Sequence, residues 1–131
     1  MKKTFTHFPW FYIFFTFYPL LFLWAINISQ IEPTVVISPF LFTLVGSAVL
    51  LGILYLVFRD MVKAGLIGTL LLIAFFSYGH IYYETRTIPQ LNILNHHTIL
   101  VPLYLILFGL AIWRILRVKK YGNSVFYLNV I

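Results

Sequence analysis

The chain has no cysteine, and only 9% of its 131 residues are charged, three of them acidic. Without thiols there are no disulfides, thiolate nucleophiles or thiolate metal sites. So little charge excludes an ordinary soluble domain, where about a quarter of the residues are charged. There is no glycine-rich phosphate loop and no nucleophile motif. No ionisable residue falls deep inside an apolar run, which argues against a proton or ion pump.

What the chain does have is apolar surface. Hydrophobic residues make up 62% of it and aromatics 20%. That composition predicts an all-α integral membrane protein. A hydrocarbon layer of about 30 Å needs roughly 20 helical residues to cross it. Four runs qualify, at about Phe8 to Ile28, Pro39 to Phe58, Ala64 to Tyr83 and Ile99 to Val118. They are continuous rather than alternating, so helices are expected and barrel strands are not. The first run follows Lys2 and Lys3 as a signal peptide would. It is too long and too aromatic for one, is interrupted by Pro19, and lacks a small-x-small cleavage site.

The formal charge of +6 does not indicate nucleic acid, because nearly every cation sits at the end of an apolar run. Lys2 and Lys3 precede the first run, and Arg59 and Lys63 separate the second from the third. Arg114, Arg117, Lys119 and Lys120 close the fourth. Eight of the nine basic residues therefore fall on one side, which the positive-inside rule makes cytoplasmic. The expected architecture is a bundle of four transmembrane helices over residues 1–120, with both ends inside. Beyond it, residues 121–131 are either an apolar interfacial tail or the start of a fifth span.

Local grammar sharpens the boundaries. Ser38-Pro39 reads as an N-cap followed by proline at the first helical position. Thr98 or Asn95 is the expected cap of the fourth span, and Pro19 is expected to kink the first. The short connection from Arg59 to Lys63 makes spans two and three an antiparallel hairpin. Ala48 and Gly52 on one arm, and Ala64 and Gly68 on the other, have the small-xxx-small spacing that lets helices approach closely.

Candidate site residues cluster at the outer ends of spans three and four: His80, Glu84, His96 and His97. His80 and Glu84 are i, i+4 neighbours. Histidine and carboxylate are acceptable transition-metal ligands, but no tight ligand motif is present. The simpler reading is interfacial residues meeting water and headgroups. Two histidines on facing helices would suit haem, and the same end would suit a quinone. The expectation carried forward is no cofactor, with haem or quinone as the alternative.

Three stretches carry a resemblance to a known family. They are F-Y-P-L-L-F-L-x-A-x-N-I at Phe17 to Ile28, R-D-M-V-K-A-G at Arg59 to Gly65, and F-F-S-Y-G-H-I-Y at Phe75 to Tyr82. Together they resemble the N-terminal membrane region of bacterial membrane-anchored sulfatase-like proteins. These belong with the phosphoglycerol and phosphoethanolamine transferases of the alkaline phosphatase superfamily. In that family a membrane bundle, often of five spans, precedes an extracytoplasmic catalytic domain. Phe126 to Val130 resembles the start of the next span. The family's metal-binding and nucleophile residues belong to the catalytic domain, so none can be carried over.

The resemblance implies a non-catalytic anchor region in the bacterial plasma membrane, truncated from a longer protein. Two other readings stand beside it: a small structural subunit of a larger membrane complex, and a haem- or quinone-binding electron-transfer subunit. The expected partners are the lipid bilayer and other membrane subunits, with no nucleic acid.

Overall fold

The computed structural model describes residues 8–88, 93–94, 96–118, 121 and 128–129. Among them every regular element is helical: α1 (Trp10–Ile26), α2 (Pro33–Phe58), α3 (Met61–Thr87) and α4 (His97–Arg117). α2, α3 and α4 are long and apolar enough to cross a membrane. At 17 residues, α1 is a shorter apolar helix that rises about 26 Å. The expected tail lies outside the described residues except for Tyr121, Leu128 and Asn129.

Several boundaries differ from the sequence expectation. α2 starts at Pro33, not Pro39, and Glu32-Pro33 takes the role expected of Ser38-Pro39. Glu32 has the extended backbone that a residue before proline prefers, and Pro33 sits where its missing N–H costs nothing. Pro39 is absorbed within the helix, leaving the Val35 carbonyl without its usual amide partner. At α4 the cap is His96, with no side-chain hydrogen bond, and Thr98 lies inside the helix. Asn95 falls outside the described residues.

The chain divides into two compact units, Met1–Thr69 with Lys120–Ile131, and Leu70–Lys119. In the first unit, α2 and α3 meet at a two-residue turn. Arg59 adopts the left-handed conformation at φ 53°, and its amide donates to the Tyr55 carbonyl at 2.8 Å. Its Nε donates to the Leu56 carbonyl at 3.1 Å, so two of the carbonyls that a helix end leaves open are satisfied. Asp60 then starts α3: its Oδ1 accepts the amides of Val62 at 3.0 Å and Lys63 at 3.1 Å. That is N-capping by a carboxylate, helped by the positive end of the helix dipole. Burial, and after it the Asp60 carboxylate, push the Tyr121 phenol above its ordinary pKa.

The small residues of α3 do receive neighbours: the start of α1 at Gly65, and both Tyr12 of α1 and Leu54 of α2 at Gly68. A Cβ on Gly65 would collide with the Pro9 ring, and one on Gly68 would lie 2.6 Å from Tyr12 Cε2. Only glycine admits the α1 backbone and ring at these two places. The expected α2 partner, Gly52, has nothing within 4 Å of such a Cβ. Ala64 is 0% exposed and Tyr12 only 2%.

Several polar groups of the first unit are paired, whereas Trp24 Nε1 and Thr69 Oγ1 are buried without a hydrogen-bond partner. The Tyr12 hydroxyl donates to the Ser47 carbonyl at 2.7 Å, joining α1 to α2. The Thr16 hydroxyl donates to the Tyr12 carbonyl at 2.9 Å. Phe17 and Phe40 stack with centroids 5.5 Å apart. Asn129 bridges the start of α1: its Nδ2 donates to the Phe8 carbonyl at 2.9 Å, and its Oδ1 accepts the Phe11 amide at 3.3 Å.

Candidate functional site

The second unit holds the four residues singled out in the sequence. It sets them on different faces. Tyr78, Tyr82 and Arg86 follow one another at four-residue intervals and so form one stripe along α3. That stripe meets α4 at His97. The Tyr78 hydroxyl and His97 Nδ1 are 2.6 Å apart. The Tyr82 ring stacks on the His97 imidazole, with centroids 4.1 Å apart and planes 16° from parallel. The Arg86 guanidinium lies 4.8 Å from the Tyr82 centroid, in cation–π geometry.

His80 stands two residues beyond Tyr78, roughly 200° around the helix, and Glu84 shares its side. Both are exposed. His96 is exposed as well, and its carbonyl accepts the Ile99 and Leu100 amides at 2.9 Å. His97 alone of the four is therefore seen in side-chain contact with α3. Among the described residues no group of three His, Cys, Asp or Glu side chains stands ready to hold a metal ion. The α3 face turned toward His97 presents tyrosines where a second axial histidine for haem would have to stand.

A second polar pair lies on the same two helices. Ser77 Oγ and the Tyr104 hydroxyl are 3.1 Å apart, and Ser77 Oγ donates to the Ile73 carbonyl at 2.5 Å. Serine has a single proton, so Tyr104 must be the donor in its bond to Ser77. Tyr78 and Tyr104 meet edge to face with centroids 5.3 Å apart, and Phe108 stacks on Tyr104 at the same separation.

These rings hold the helices apart. Between α3 and α4 runs an apolar groove of about 550 Å³, walled by Phe75 and Tyr78 on one side and by Tyr104 and Phe108 on the other. Gly109 opens its floor, since a Cβ there would meet nothing within 4 Å. That volume lies within the range of about 300–1,000 Å³ usual for small-molecule sites.

No family matches. The chain has no match among protein-family models, curated proteins or solved structures. The site therefore has to be read from its own chemistry.

Sequence reasoning found His97 but missed Tyr78 and Tyr104, and did not join Tyr82 or Ser77 to the site. The signal was there as a four-residue spacing, Tyr78–Tyr82–Arg86 on α3 and Tyr104–Phe108 on α4. Weighing His and Glu as metal ligands drew attention to the opposite face of α3.

Proposed function

We propose that this chain is a non-catalytic anchoring region of the bacterial plasma membrane. Its four helices cross the bilayer, and both ends of residues 1–120 lie on the cytoplasmic side. One observation carries the reading: the helices are inside out relative to a soluble protein. Large apolar side chains such as Phe42, Val45, Leu105 and Leu107 face outward along α2 and α4. A surface of that kind is stable only against lipid or another apolar partner. Segregation of the cations supports the orientation. Arg117 lies 4.5 Å from the Trp113 centroid, an aromatic–cation pair suited to the headgroup level. Asn27 Nδ2 and its own amide tie back to the Leu23 and Trp24 carbonyls, closing the end of the short α1.

The resemblance of Phe17 to Ile28, Arg59 to Gly65 and Phe75 to Tyr82 makes a sulfatase-like protein the parent we favour. A reading frame that runs on past Ile131 into a metal-hydrolase domain supports that parentage, and a stop codon there counts against it. Topology is tested separately, with single cysteines labelled from outside intact cells. Positions 32 and 90 should react, and positions 59 and 119 should react only after permeabilisation. The reverse pattern sinks the orientation, and extraction by alkaline carbonate sinks the anchor.

A further inference from the structure

We propose that the groove between α3 and α4 is a binding site for a prenylated quinone. Its ring would lie at the level of Tyr78 and Tyr104, and its chain would run toward Leu71 and Ile112. The inference rests on membrane insertion but on no particular parent protein.

Three features select this ligand. The first is charge. Every residue that lines the groove is uncharged, from Leu71 and Phe75 on α3 to Ile112 on α4. A phosphate headgroup placed there would have no counter-ion, whereas a neutral ring incurs no such cost. Arg86, the nearby cation, lies over Tyr82 and does not line the groove. The second is shape. Phe75 and Tyr78 on α3 and Tyr104 and Phe108 on α4 line the opening, giving aromatic surface against which a flat ring can lie. A saturated acyl chain gains nothing from such walls beyond its area.

The third is the supply of protons. Tyr104 has committed its proton to Ser77, which has committed its own to the Ile73 carbonyl. Tyr78 is not fixed in this way. When His97 Nδ1 is bare, Tyr78 donates to it. When the proton sits on Nδ1, His97 donates to Tyr78 and releases the phenol proton for a third partner. Tyr78 lines the groove, although His97 does not, and an acceptor in the groove that reaches the Tyr78 hydroxyl, as a quinone carbonyl would, takes that proton. The ring of Tyr82 stacked on His97 holds the imidazole in place for either tautomer.

The test uses the full chain in phosphatidylcholine nanodiscs, titrated with decylubiquinone while tryptophan emission is followed. Quenching should saturate, and excess farnesol, a prenyl chain with no ring, should not reverse it. Tyr78→Phe keeps the ring and removes the donor, so it should weaken binding by about fivefold. Gly109→Leu fills the floor of the groove and should abolish saturable quenching. A Cβ at this position meets no neighbour within 4 Å, so the backbone of α4 should tolerate the substitution, and unchanged thermal unfolding checks that it does. Quenching that rises without saturating, displacement by farnesol, or an unchanged Tyr78→Phe titration each overturns the proposal. So does a wild-type dimer that Gly109→Leu converts to monomer without any quinone effect, since the groove then seats a second copy.

Discussion

α3 packs in two ways along one helix. Over its first turns it offers Ala64, Gly65 and Gly68, and α1 closes against it until Tyr12 is 2% exposed. Over its later turns it offers Phe75, Tyr78 and Tyr82, and α4 is held off by rings. Beside the rings the groove of the second unit is about 550 Å³. In lipid there is little hydrophobic drive to bring helices together, so side-chain size sets their spacing. Small residues make a closed contact that stabilises. Aromatic residues make an open one that can take a guest.

The sharpest way to break this contrast is Gly65→Leu. The Pro9 ring is fixed to the backbone and cannot swing away, so α1 must shift as a whole. Stability in detergent should fall by about 1–3 kcal/mol, the usual cost of overpacking, read from thermal unfolding or steric trapping. A variant as stable as the parent would mean that α1 does not rest on α3. Asp60→Ala should come next, at about 1 kcal/mol for the lost N-cap. Asp60→Asn should recover most of that loss, because the amide oxygen also caps. Failure to recover would assign the effect to charge instead.

Tyr12→Phe probes the same closed contact through its polar side. The hydroxyl bonded to the Ser47 carbonyl is removed while the ring stays. Interhelical hydrogen bonds in membranes average about 0.6 kcal/mol, so a loss near that value is expected in the same unfolding assay. A loss several times larger would show that the hydroxyl bond to α2, and not the glycine seat on α3, chiefly holds α1 in place.

Much of the fold was legible because lipid imposes a simple grammar. Long uncharged runs had to be helices, and α2, α3 and α4 are. Boundaries were less legible where two signals competed. Both Glu32-Pro33 and Ser38-Pro39 satisfy the rule for starting a helix. The β-branched run between them, Thr34 to Ile37, has a low helix propensity in water. The structure takes the earlier start. Small residues at helical spacing showed that α3 packs closely, but the spacing cannot name the partner, and Gly68 meets Tyr12 of α1 as well as Leu54 of α2. At the site, His97 stood out by residue type. Its partners Tyr78 and Tyr82 looked like two of many aromatics, and only helical phase separates them from His80 and Glu84.

The smallest expected effect decides whether the groove is open. Gly109→Ala adds a methyl group that meets nothing within 4 Å. Against that free space stands the helix preference for alanine over glycine, worth up to about 1 kcal/mol in water and less where lipid already enforces the helix. Thermal unfolding should therefore show stability equal to the parent or slightly higher. Gly65→Ala, whose Cβ meets the Pro9 ring, should lose stability in the same assay. The pair changes the same atom count on the same type of residue, so propensity cancels and only neighbouring space remains. Equal losses at both positions would mean that α4 closes onto α3 in the membrane, and the distinction between a packed half and a receptive half would fall with it.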